Sequence, residues 1–120
     1  MCLSFISIGK NVKVVASTTP NDVSINGCSI GDVYLLGSRD VGSSQEIGDR
    51  RLVLRVFSGQ DSLFTPIEIA NVSNHLGLYV INSPILPAEV SINSELRVEI
   101  KLVDSAGNLL SEDEKTITYT

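Results

Sequence analysis

Apolar and polar residues alternate along much of this 120-residue chain. The alternation is clearest over residues 96–103, where every second side chain is apolar and Arg97, Glu99 and Lys101 lie between them. Residues 51–57 repeat the pattern. Successive side chains of a strand point to opposite faces, so both runs predict antiparallel strands with one buried and one solvated face. The predicted core residues are Leu52, Leu54, Val56, Val98, Ile100 and Leu102.

Shorter alternating runs predict further strands between turn sequences. Asn26-Gly27 is typical of a two-residue hairpin turn, and residues 58–61 and 104–108 supply residues that tolerate positive φ. No stretch keeps a helical period over three turns, and residues 37–48, rich in Gly and Ser, predict a long loop. The predicted fold class is all-β: a single immunoglobulin-like antiparallel β-sandwich of about seven to nine short strands, spanning residues 1–120. The remaining strand candidates are residues 2–8 (an N-terminal arm or edge strand), 11–17, 23–25, 32–36, 66–70, 76–81 and 115–119.

Charge and hydropathy narrow the set of partners. A net charge of −5 and an isoelectric point near 4.7 oppose attraction to phosphate backbones and anionic lipid, so neither nucleic acid nor a membrane is an expected partner. The arginines at 50, 51 and 55 stand beside Asp49 and are interpreted as a solvated strand face. The N-terminal segment lacks the basic start and the cleavage site of a signal peptide, and the sequence predicts folding in the cytoplasm.

Residues that could carry chemistry are few, and the sequence predicts no enzyme, no cofactor and no metal. Cys2 and Cys28 lack CxxC spacing and are expected as free, reduced thiols. His75 is the single histidine, so neither a nucleophile–base pair nor a histidine metal cluster has its parts. The acidic run at 112–114, together with Asp104 and Asn108, supplies the oxygen ligands that calcium prefers, but the ordered ligand pattern of a calcium loop is missing and such a run is usually solvated. With no Trp and few other aromatics, a glycan platform is possible and not favoured.

The C-terminal quarter of the chain resembles a known kind of domain. A long alternating strand, the turn Asp104-Ser-Ala-Gly-Asn108 and a closing strand over residues 115–120 resemble the final hairpin of bacterial and phage immunoglobulin-like domains. The layout of residues 52–82, followed by Pro84 and Pro87, is similar to the N-terminal sandwich domain of phage baseplate upper proteins. The first forty residues match neither pattern.

This resemblance implies a non-enzymatic structural component of a tailed-phage virion: a capsid decoration, tail or baseplate protein. It implies a location in the virion after assembly in the host cytoplasm, and partners that are other protein subunits in a homo- or hetero-oligomer. A fold does not fix a function, and the alternative is an immunoglobulin-like recognition module that binds a cell-surface glycan or protein.

The two ends of the chain are the predicted interaction surfaces. An extended segment over residues 3–8 is apolar on both faces, although a strand at a sheet surface needs only one apolar face. Either a neighbouring subunit covers the second face, or the segment crosses between the two sheets of one monomer. The closing strand has a free edge that could accept a strand from another chain. The predicted interaction residues are Leu3, Phe5, Ile6, Ile8, Ile117 and Tyr119.

Overall fold

The computed structural model describes residues 9–19, 21–33, 50–72 and 77–120. Within these ranges the chain forms eight β-strands and no helix. The strands are β1 (Gly9–Thr19), β2 (Asp22–Val33), β3 (Arg50–Ser58), β4 (Asp61–Ser62), β5 (Ile67–Val72), β6 (Gly77–Asn82), β7 (Glu95–Val103) and β8 (Leu109–Thr118).

The strands form two antiparallel sheets. The three-stranded sheet has the order β2-β1-β6. The five-stranded sheet has the order β4-β3-β7-β8, and β5 pairs with β3 beside β4. The prediction of an all-β chain with two antiparallel sheets is therefore confirmed.

The core lies between the inner faces of the two sheets. All six core residues predicted from the alternation are fully buried, which confirms the inward register of β3 and β7. From the three-stranded sheet, alternate residues of β1 and β6 complete the same apolar cluster. These residues are Val12, Val14, Ala16, Tyr79 and Ile81.

The predicted hairpin turn at Asn26-Gly27 is wrong, because β2 runs through both residues. Ile25 pairs with Ala16 and Gly27 pairs with Val15, so Asn26 is an extra residue that forms a β-bulge. The bulge shifts the strand by one residue, so that the odd-numbered Val23 and Ile25 and the even-numbered Cys28 and Ile30 all face the core. Residues 23–25 and the described residues 32 and 33 therefore belong to one strand and not to two, and residues 34–36 of the second predicted strand lie outside the described residues.

The closing strand begins earlier than predicted, at Leu109 rather than residue 115. Its core-facing positions Ser111, Asp113 and Lys115 are polar, which hid the strand from an alternation test. All three lie opposite fully buried positions of β7, but Ser111 and Asp113 contact the edge of β2 and Lys115 is exposed.

Side chains of β8 join the two sheets along that edge. The Val23 N–H donates to Ser111 Oγ at 3.1 Å, and the Ile25 N–H donates to Asp113 Oδ2 at 2.8 Å. The Ser111 hydroxyl also donates to Asp22 Oδ1 at 3.1 Å. β2 is an edge strand of its sheet. Side chains of the other sheet nevertheless satisfy the outward N–H groups of Val23 and Ile25 in its first half.

Candidate functional site

Two of the six predicted interaction residues lie among the described ones. Ile117 and Tyr119 are both half-buried and pack against the core cluster. The backbone of Tyr119 is also held, because its N–H donates to Ser94 O at 2.9 Å and its carbonyl accepts from Asn93 N at 2.7 Å. Their role in a contact stays a prediction. Leu3, Phe5, Ile6 and Ile8 lie outside the described residues, as do Cys2, His75 and the predicted loop at 37–48.

The described cysteine is a shielded thiol. Cys28 forms no disulfide and lies half-buried on the inner face of β2. Burial raises its pKa to about 11, and the nearby positive charge of Lys115 only partly opposes this shift. Since the thiolate is the reactive form, Cys28 is a poor nucleophile in the folded protein.

The acidic residues considered for calcium are engaged within the fold. Asp104 closes the β7–β8 turn: its Oδ1 accepts from Ala106 N at 3.0 Å and from Asn108 N at 2.8 Å. These bonds hold the pKa of Asp104 below its usual value, with the Asn108 N–H as the largest cause. Strand alternation turns Asp113 inward and its two acidic neighbours outward. Within the described ranges, no three His, Cys, Asp or Glu residues are grouped so as to hold a metal ion.

The outer face of the five-stranded sheet carries charges that pair with one another. Arg97 Nη1 lies 2.8 Å from Glu114 Oε2, and its guanidinium stacks over the Phe57 ring at 4.2 Å from the centroid. Arg51 lies 3.5 Å from Glu68 on the neighbouring strand. Exposed pairs of this kind contribute at most about 1 kcal/mol each. Paired charges in water make this face an ordinary solvated surface.

The free strand edges differ in how well they are protected against pairing with other chains. Exposed edges are normally blunted by charged side chains, proline, bulges or covering groups. In β8, residues 112–115 are all charged, and the N–H of Glu114 is bound by Asp113 Oδ1 at 2.9 Å. In β5, Glu68 and the left-handed Asn71, with φ of 58°, interrupt the edge. β2 contains the bulge at Asn26, and Ser111 and Asp113 of β8 accept hydrogen bonds from its edge N–H groups.

Of the described strands β2, β5, β6 and β8, only β6 has no charge, proline or bulge of its own. Its sequence Gly-Leu-Tyr-Val-Ile-Asn contains no charge and no proline, and its pairing with β1 is regular over six residues. Short uncharged segments of high β-propensity are the ones that pair with other strands when they lie at an edge. We call this strand, with its outward backbone groups at Leu78 and Val80, the β6 edge.

The direction of the backbone groups follows from the ladder. Ser83 N donates to Val12 O at 2.8 Å, which shows that Val12 directs its carbonyl toward β6. Antiparallel pairing alternates, so Val14, Ala16 and Thr18 do the same, and their partners Ile81, Tyr79 and Gly77 point back at β1. The N–H and C=O groups of Leu78 and Val80 therefore point away from the sheet.

The surface beside the β6 edge is also poor in charge. On the outer face of the three-stranded sheet, Leu78 is 45% exposed and Val15 and Val80 are partly exposed. Lys13 and Asp22 are the charged residues on that side of β1 and β2, and three small polar residues there bond to one another: Ser17, Ser24 and Asn26. Depletion of charge is the compositional mark of protein–protein contact surfaces. The alternation over residues 76–81 predicts the strand but not its position at a sheet edge, so the sequence does not predict this site.

Comparison with known proteins returns no match: no family model, no curated protein and no solved structure matches this chain. Across the ranges that the structure describes, no helix has the length and apolar character needed to cross a membrane.

Proposed function

We propose that this chain is a non-enzymatic structural subunit of a larger protein assembly, and that the assembly is the virion of a tailed phage. The observation that carries the proposal is the β6 edge. An edge strand without charge, proline or bulge is an aggregation hazard in a free monomer. Such an edge is tolerable when another chain covers it, because strand addition then satisfies its backbone groups.

The polar side chains support a structural role through what they bind. Asp104 closes a turn, Asp113 and Ser111 cap the edge of β2, and Arg97 and Glu114 pair across two strands. These groups are used to hold strands in place. None of these contacts sets a nucleophile beside a base, the arrangement that covalent catalysis needs.

The choice of a virion rests on the resemblance of the C-terminal hairpin to phage immunoglobulin-like domains. Two antiparallel sheets, and a β7–β8 hairpin closed by Asp104 with Gly107 at a φ of 87°, are compatible with that class. We therefore infer an immunoglobulin-like sandwich whose partners are other virion subunits.

The proposal is tested on particles purified from cells that produce the phage carrying this gene. The chain should sediment with the particles on a density gradient, at a fixed number of copies per particle. A Leu78→Lys variant, which places a charge on the β6 edge, should lose at least about 90% of this incorporation, since a buried unpaired charge costs several kcal/mol and each 1.4 kcal/mol is tenfold.

Thr116→Lys is the matched control, because Thr116 is an exposed residue on the β8 edge, which is already charged. It should incorporate as the wild type does. A wild-type chain that stays at the top of the gradient, apart from the particles, would overturn the proposal.

A further inference from the structure

We infer that the partner strand at the β6 edge is β6 of a second copy of this chain, so that two three-stranded sheets join into one six-stranded sheet across a two-fold axis. The inference rests on the proposed function, because it names the occupant of the same edge. Two-fold symmetric dimers are the commonest closed oligomers, and they place the same surface of each copy in the contact.

The backbone of β6 has the groups that such a pairing needs. Leu78 and Val80 both direct N–H and C=O outward, and in an antiparallel pair centred on Tyr79 each Leu78 lies opposite Val80 of the other copy. Each opposed pair exchanges two hydrogen bonds, so the two symmetric pairs form about four. The buried Tyr79 and Ile81 side chains keep their places on the inner face.

The side chains on the outer face fit the same register. Leu78 is one of three large apolar residues that the described part of the chain leaves strongly exposed, together with Ile92 and Leu109. In the Tyr79-centred pair, Leu78 of each copy lies directly across from Val80 of the other copy, so the dimer contains two such apolar contacts. A register centred on Val80 would instead set Leu78 opposite the polar Asn82.

Charge favours a symmetric β6–β6 pair over a symmetric pair of the other long edge strand, β8. The charged residues 112–115 of β8 would place like charges opposite each other in a symmetric β8 pair, for example Glu112 against Glu114. A β6 pair brings no charge together, although the whole chain carries a net charge of −5. An uncharged strand also offers nothing that would select a charged foreign segment in preference to a copy of itself.

Sedimentation equilibrium of the purified chain tests this inference with two matched proline variants. Val80→Pro removes an outward N–H at the β6 edge, and Thr116→Pro removes an outward N–H at the β8 edge, so neither removes a donor within its own sheet. The wild type should form a concentration-dependent dimer. Val80→Pro should raise the dissociation constant roughly tenfold or more, and Thr116→Pro should leave it unchanged.

Leu78→Lys gives a second variant that does not alter the backbone, because the Leu78 side chain is already largely in solvent. It should weaken the dimer as Val80→Pro does. A wild type that stays monomeric at all concentrations would overturn the inference, as would a dimer that both β6 variants leave intact.

Cysteine cross-linking tests the register in a background in which Cys2 and Cys28 are replaced by Ser. A mixture of Leu78→Cys and Val80→Cys chains should form the mixed disulfide, since these positions are opposed in the Tyr79-centred pair. Efficient cross-linking of Val80→Cys to itself alone would overturn that register. The proposed function fails separately: a chain that incorporates into particles yet never dimerises alone refutes the second copy and leaves the structural role standing.

Discussion

At the scale of single residues, most buried polar atoms of this fold have a partner, and Thr18 is an exception. Its side chain is fully buried on β1, and its hydroxyl oxygen Oγ1 has no hydrogen-bond partner. An unpaired buried hydroxyl loses its hydration without compensation. Thr18→Val replaces the hydroxyl with a methyl group of similar size.

We expect Thr18→Val to stabilise the protein by about 1 kcal/mol in urea unfolding. Thr116→Val on the exposed face of β8 is the control, and it should change the stability by less than about 0.5 kcal/mol. A destabilising Thr18→Val substitution would show that the hydroxyl does have a partner in solution.

Asp104 is a second residue whose chemistry can be measured. Its folded-state pKa is lowered by the N–H groups that its carboxylate accepts. The resulting stabilisation is complete above the unfolded pKa, near 3.8, and is lost as the pH falls through the lower folded value.

Asp104→Asn keeps one acceptor oxygen but does not titrate. The difference in unfolding free energy between the wild type and this variant should therefore shrink as the pH falls below about 4. Chemical denaturation at a series of pH values measures the difference, and NMR titration gives the pKa directly. A difference that stays constant down to the acid limit would contradict the hydrogen-bonded carboxylate.

At the scale of elements, the bulge in β2 decides which residues reach the core. Ile25 and Ile30 are five residues apart, a spacing that puts side chains on opposite faces of a regular strand. Here they face the same way, because Ile25 lies opposite Ala16 and Ile30 lies opposite the fully buried Val12.

Truncation of both isoleucines tests this parity. Ile25→Ala should cost about 2–5 kcal/mol and the half-buried Ile30→Ala about 1–2 kcal/mol, whereas Ser29→Ala on the outer face should cost almost nothing. Thermal or urea unfolding of the three variants gives the comparison. If Ser29→Ala cost more than Ile30→Ala, the second half of β2 would have the opposite orientation.

The sequence predicts a strand well where both of its faces meet uniform surroundings. β3 and β7 lie in the middle of a sheet, with an apolar core on one side and water on the other, so their alternation is clean. The start of β8 was missed because Ser111 and Asp113 face backbone N–H groups of β2 rather than apolar side chains. The Asn26-Gly27 pair misled because the same residues that suit a hairpin turn also suit a bulge. The apolar positions do change from odd to even across this pair, and that change is the available signal.

At the scale of the whole molecule, the alternation within single segments does not predict which strands lie at the edges of the sheets. The absence of charge in β6 is plain in the sequence, but a central strand would show it as well. Its meaning depends on the pairing of β1 with β2 on one side and with β6 on the other, and the β1–β6 pairs join residues 59 to 69 positions apart. The candidate site was therefore not predictable from any single segment.

The two sheets are held together at one corner by Asp113. Its Oδ2 accepts from Ile25 N of the opposite sheet at 2.8 Å, and its Oδ1 accepts from Glu114 N at 2.9 Å. Glu112 is its neighbour in the acidic run, but its side chain is exposed on the outer face. Strand alternation therefore gives the middle residue of the acidic run a different position from that of its two neighbours.

Asp113→Ala should destabilise the protein by roughly 1.5–3 kcal/mol, because it leaves the partly buried N–H of Ile25 without an acceptor. Glu112→Ala removes the same charge from an exposed site and should change the stability by no more than about 0.5 kcal/mol. Urea unfolding of both variants separates a specific contact from a general effect of net charge. Equal effects of the two substitutions would mean that the carboxylate of Asp113 does not join the sheets, and amide hydrogen exchange at Ile25 would then be as fast in the wild type as in the variant.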